Sequence, residues 1–229
     1  ALTTGASNVA VGYSALSTED AHGRNTAVGY KTLETLNAGA DGNNTAVGYF
    51  AGQSVTTGIQ NTLVGSLAGD ALTDSDYNTV VGYQALSTDT LGGRSTAIGY
   101  QTLANQNFTT ATSAYNTAVG YSAGVAITTG IQNTLIGAIA GDALTDADYN
   151  VAVGVTALGG DTKGNNSTAI GYSALVAQNF TTSTDSFNTA VGYEAGGAVT
   201  TGIQNTLIGS RAGDALTDAD YNTAVGMGA

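Results

Sequence analysis

A five-residue pattern of one polar residue, Thr, a small apolar residue, a β-branched residue and Gly recurs along the whole chain. Asn-Thr-Ala-Val-Gly, or a near variant, begins at Asn8, Asn25, Asn44, Asn61, Asn78, Ser95, Asn116, Asn133, Asn150, Ser167, Asn188, Asn205 and Asn222. The spacings are 17, 19, 17, 17, 17, 21, 17, 17, 17, 21, 17 and 17, so nine of twelve are identical. The longer intervals fall before Asn44, Asn116 and Asn188, where they read as loop insertions on one face. With the Asn as position one, position four is always Val or Ile and position five always Gly, from Gly12 to Gly226. A β-branched residue followed by Gly predicts a short strand that runs into a bend or a close backbone contact. Position six is usually Tyr, as in Tyr13, Tyr30, Tyr49, Tyr83, Tyr100, Tyr121, Tyr172 and Tyr193. Position eight is Ala or Thr, and Gly or Leu follows it.

A 72-residue super-repeat, four motifs long, lies above the first period: the block from Asn44 to Asn78 returns at Asn116 and again at Asn188. Helical solenoids need roughly 33–47 residues per repeat and two strong helix patterns. Repeats of 17 residues rich in Thr, Gly and Asn cannot supply them. One coil of a parallel β-solenoid fits, and thirteen coils at ~4.8 Å each predict a rod on the order of 60 Å long. The Asn of position one is then expected to form an amide stack along the rod. Residues 1–229 read as a single solenoid domain, an excerpt of a longer array that lacks the starting Met.

Alternation along a strand puts positions two and four on one face and position three on the other. The expectation is that position four faces the core, with Val119 inside its coil, Gly120 at the following bend and Asn116 in the amide stack. Position three, usually Ala and sometimes Leu63, Leu135 or Leu207, would then point outward. Small apolar residues there predict burial against another chain, and so a homo-oligomer of three chains.

Composition narrows the chemistry. The 229 residues include 33 Gly and no Pro, Cys or Trp, with 17 acidic against five basic residues and a net charge of −12. Without Cys there are no disulfides, thiolate nucleophiles or Cys-ligated zinc. The lone His22 has no second imidazole for a metal site. Arg24, Lys31, Arg94, Lys163 and Arg211 are too scattered for a phosphate-binding surface, so nucleic acid is not an expected partner. No apolar run approaches the ~20 residues of a membrane span, so no membrane insertion is expected.

The Asn-Thr-Ala-Val-Gly-Tyr strings resemble two related groups. The first is the head of YadA-type trimeric autotransporter adhesins, whose coils carry a similar Ser-Val-Ala-Ile-Gly core. Aligning Ala-Val-Gly with Ala-Ile-Gly puts Val47, Val119 and Val191 at that family's core-facing position. The second is the phage tail-fibre group, in which Asn-Thr-Ala-Val-Gly-Tyr-x-Ala-Leu arrays often precede a self-cleaving chaperone. The second match is closer and covers nearly the whole chain. The dominant period of 17 is longer than the usual autotransporter coil, so the turns must differ. The resemblance implies a homotrimeric, left-handed parallel β-roll in an extracellular fibre, on a virion tail or a bacterial cell surface.

Three features carry candidate chemistry. Asp70, Asp74 and Asp76 with Asn78 recur as Asp142, Asp146, Asp148 and Asn150, then as Asp214, Asp218, Asp220 and Asn222. Asp74-Ser75-Asp76-Tyr77-Asn78 resembles the opening of an EF-hand loop, which makes Ca²⁺ the candidate ion. The pattern then departs, with Thr79 at the sharp-turn Gly and Ala85 at the bidentate Glu, and a merely solvated turn is the alternative. The tyrosines, with Tyr77, Tyr115, Tyr149, Phe187 and Tyr221 before the motif, could stack on glycan rings or on one another. Thr-Thr at Thr56, Thr128 and Thr200 raises ice binding, but this pair returns only with every fourth motif. Asn107 and Asn179 fit the Asn-x-Thr glycan acceptor pattern, which is idle in a bacterial or viral protein.

No catalysis is expected, since solenoid rods lack the cleft that acid–base chemistry needs. The expected role is a structural and adhesive segment of an extracellular trimeric fibre, with a cell-surface glycan or protein as receptor. A self-assembling surface filament, or a solenoid that binds calcium, glycan or ice, are the alternatives.

Overall fold

Each Thr-Ala-Val motif forms a three-residue strand, and the Gly after it ends the strand. The structure, a computed structural model, describes residues 5–19 and 22–229. Among the described residues it is all-β, with no helix. It is a parallel β-solenoid of about thirteen turns, repeating at the spacing of the sequence motif. Two compact units, Ala1–Tyr115 and Asn116–Ala229, divide the chain.

In the first unit the coil strands are β1 (Val9–Val11), β2 (Thr26–Val28), β3 (Thr45–Val47), β4 (Thr62–Val64), β5 (Thr79–Val81) and β7 (Thr96–Ile98). A short pair, β6 (Gly92–Gly93) and β8 (Thr112–Ser113), lies where the chain is longest. The second unit has β9 (Thr117–Val119), β10 (Thr134–Ile136), β11 (Val151–Val153), β13 (Thr168–Ile170), β15 (Thr189–Val191), β16 (Thr206–Ile208) and β17 (Thr223–Val225). Its short pair is β12 (Gly164–Asn165) with β14 (Thr184–Asp185). Coil strands pair in parallel with equivalent residues opposed, as Thr62 with Thr79 and Ile136 with Val153.

The outward and inward faces are the reverse of the expectation. Position three is the core: Ala27, Ala46, Leu63, Val80, Ala97, Ala118, Leu135, Ala152, Ala169, Ala190 and Leu207 are all 0% exposed. Position four looks outward, with Val47 at 37%, Ile136 at 39% and Ile208 at 40%, while Val119 and Val191 are half-exposed. The argument for a second chain from outward-facing position three therefore does not hold. The physical reason is volume. A coil this short admits one side chain from its strand, and the rest of the interior is already filled from positions eight, nine and twelve.

Those positions make two kinds of coil. In one, Leu stands at position nine: Leu16, Leu33, Leu86, Leu103, Leu158 and Leu175 are all buried. In the other, position nine is Gly, and Val55, Leu72, Ile127, Leu144 or Val199 fills the space from position twelve. The larger Leu63, Leu135 and Leu207 at position three belong to this second kind.

Asn and Gly lock the coils together. The Asn25 and Asn61 backbone N–H groups donate to Asn8 Oδ1 and Asn44 Oδ1, each at 2.9 Å. Most of the Asn Nδ2 groups also donate to a carbonyl fourteen residues on, as Asn61 to Ser75 at 2.7 Å and Asn133 to Ala147 at 2.8 Å, whereas Asn25 and Asn222 reach back two residues to Gly23 and Asp220. The expected stack is present, with the amide bonding mostly to backbone. At position five, Gly has φ of 129–148°, and a Cβ on Gly48 would lie 2.3 Å from the Gly65 carbonyl oxygen. Both conformation and closeness exclude a side chain there.

Candidate functional site

The acidic turns tie one coil to the preceding one. Asp76 Oδ1 accepts the Ile59 N–H at 2.8 Å, and Asp148 and Asp220 do the same for Ile131 and Ile203 at 2.7 and 2.8 Å. Asp74 Oδ1 accepts the Thr57 hydroxyl at 2.6 Å. Asp146 accepts from Thr145 Oγ1 and pairs with Lys163 Nζ at 3.5 Å, and Asp218 accepts from Thr217. Asn78 and Asn150 lie inside the coil, where their Oδ1 atoms accept the Ser95 and Ser167 N–H groups at 2.9 Å. Asn222 is half-buried, and its Nδ2 donates to Asn205 Oδ1 and to the Asp220 carbonyl.

Asp70, Asp142 and Asp214 precede these turns by four residues. Asp70 Oδ1 is buried without a hydrogen-bond partner, and that burial pushes its carboxyl up to about 6. Burial raises Asp142 as well, whereas Asp214 is exposed. Burial also raises Asp148, with the Ile131 N–H working against it and the Asp146 charge adding to it. Among the described residues no group of three or more His, Cys, Asp or Glu is gathered where it could hold a metal ion.

The tyrosines of position six form ladders. Tyr13, Tyr30 and Tyr49 stack at 5.3 and 5.4 Å with interplanar angles of 13° and 14°; Tyr83 stacks on Tyr100, and Tyr172 on Tyr193. Stacked rings cover one another's faces and show their edges to solvent, whereas a sugar needs a face. Tyr77 and Tyr115 are similarly engaged, because the Arg94 guanidinium lies over both rings, at 4.8 and 5.9 Å. Asn107 Oδ1 accepts a hydrogen bond from Thr90.

The third surface is the outer face of the coil strands, which the sequence reading placed inside. It carries a Thr row and a Val/Ile row. None of the position-two hydroxyls is engaged by another described residue. The threonines of position thirteen differ: Thr73, Thr145 and Thr200 each donate to a carbonyl of the next coil.

Sequence reasoning missed a buried polar column at position twelve. Asp161 is 0% exposed; its Oδ1 accepts the Gly164 and Phe180 N–H groups at 3.0 Å, and its Oδ2 accepts Gln178 Nε2 at 2.5 Å. Asp89 repeats this with Gly92, Phe108 and Gln106. Buried Glu19 accepts the His22 N–H from the same position. The available signal was placement: each acid stands in the coil before a lengthened interval, and it holds the start of that loop. No protein-family model, curated protein or solved structure matches the chain.

Proposed function

We propose that the chain is a structural and adhesive segment of an extracellular trimeric fibre, of the kind borne on a phage tail or a bacterial surface. It would hold receptor-binding parts away from the body that carries them, and it needs no reaction to do so. The observation that supports this most is the sameness of bonding from coil to coil. Within each unit the strand ladder and the Gly contact recur from coil to coil, and the Asn-to-backbone bond recurs with them except after Ser95 and Ser167, so load passes through many similar bonds.

Three chains per fibre rest on the resemblance to tail-fibre and autotransporter arrays. The tyrosine ladders offer the surface at which copies would meet: in the Tyr13, Tyr30, Tyr49 row the rings are 41–68% exposed, apolar at the edge and polar at the tip. Sedimentation equilibrium at micromolar concentration tests the assembly. A mass three times the 22.6 kDa of one chain is expected, and a species at 22.6 kDa would overturn the trimer.

A further inference from the structure

We infer that the outer face of the coil strands is an ice-binding surface. This goes beyond the fibre reading and does not depend on the number of chains. In the unit Ala1–Tyr115 the outward row at position two is Val9, Thr26, Thr45, Thr62, Thr79 and Thr96. In the unit Asn116–Ala229 it is Thr117, Thr134, Val151, Thr168, Thr189, Thr206 and Thr223. The row beside it, at position four, is Val or Ile in every coil, and neither row contains a charge.

Three properties of this array point to a periodic ligand. First, its geometry is a lattice: equivalent residues are opposed in each strand pair within a unit, as Thr45 with Thr62 and Thr189 with Thr206. Rungs repeat every ~4.8 Å, and the two rows lie about 6.7 Å apart along the strand. The rung repeat is within a few tenths of an ångström of the oxygen repeat along the a axis of hexagonal ice. Second, Thr is restricted at χ1, so in the coils that carry it the hydroxyl and methyl are confined to a few offsets from the strand. Third, the hydroxyls are uncommitted and can anchor water, while the Val and Ile methyls beside them cannot hydrogen-bond it. Water over such a face is held at the hydroxyls and caged above the methyls, an arrangement already close to ice.

A protein partner fits this face less well. Covering it would strip water from up to eleven threonine hydroxyls per chain, and each needs a new partner. A strictly repeating, uncharged row also gives a second chain nothing to fix its register, which across interfaces is set by charge and shape. Ice has the same translational repeat and needs no register.

The test is partition of fluorescently labelled protein into a slowly growing ice hemisphere, together with thermal hysteresis. The native chain is compared with Thr134→Tyr/Thr206→Tyr on the sheet face and with Thr129→Tyr on the exposed turn. All three should keep the native circular dichroism and melting temperature, since every substituted side chain points to solvent. The native chain and T129Y are expected in the ice, with measurable hysteresis, and T134Y/T206Y at least five-fold less. Exclusion of the native chain from ice, or equal uptake of the double variant, would overturn the proposal. A native trimer that the double variant converts to monomer would also overturn it, by assigning the face to chain assembly, and would leave the fibre reading standing.

Discussion

Gly52 leaves room for Leu63: a Cβ on Gly52 would lie 2.6 Å from Leu63 Cδ1 and 2.9 Å from Leu33 Cδ2. Gly196 and Leu207 repeat the relationship at 2.8 Å in the other unit. The super-repeat of four motifs is thus a packing rule, in which Gly at position nine permits Leu at position three of the next coil.

The pair should show coupling in a double-mutant cycle. Leu63→Ala removes a fully buried side chain and should cost about 3 kcal/mol. Gly52→Leu should cost at least as much by clash. Together the two convert this level to the other coil type, so the double variant should recover more than about 1 kcal/mol relative to the sum. Urea melts of the four proteins measure this.

The face assignment separates neighbouring residues. Ala118→Asp places a carboxylate in the core and should cost several kcal/mol. Val119→Asp places it at the surface and should cost less than about 1 kcal/mol. Equal effects on the melting temperature would contradict the inward position three.

Stability should respond to pH through Asp70. Its folded-state pKa, raised to about 6 by burial, lies above the ordinary value of 3.8. As pH rises through that window the unfolded chain gives up the proton first, so stability falls and stays lower above about 6. Asp70→Asn should therefore raise the melting temperature at pH 8 and leave it unchanged near pH 3.5. Calorimetry at the two pH values is sufficient.

The buried acids at position twelve should matter more than the exposed acidic turns. Asp161→Ala strands the Gly164 and Phe180 N–H groups and the Gln178 amide, at about 3 kcal/mol, and should open the following loop to proteolysis. Asp146→Asn, in an exposed turn, should shift stability by only about half a kcal/mol. Limited proteolysis and melting curves compare the two.

The period of 17, the Asn stack and the Gly column were legible because each is a property of one position repeated many times. Which face of Thr-Ala-Val points inward was not. Alternation fixes only that Ala118 and Val119 face opposite ways, and hydrophobicity favours Val for the core. The decision rests with residues outside the strand, Leu at position nine or Val, Ile and Leu at position twelve, which leave room for Ala. The roles of Asp89 and Asp161 were hidden for a related reason. A buried carboxylate looks like any turn aspartate until the loop that it holds, through Phe108 or Phe180, is seen to close over it.

The Gly and Leu matching also dictates how such an array can change length. Excising four coils joins two levels of the same kind and leaves every core contact with an equivalent partner. Excising one coil can bring a Leu of position nine against a Leu of position three, or leave Gly beside Ala with a void. Duplication and deletion are therefore expected to run four coils at a time, although the strand ladder alone would accept a single coil.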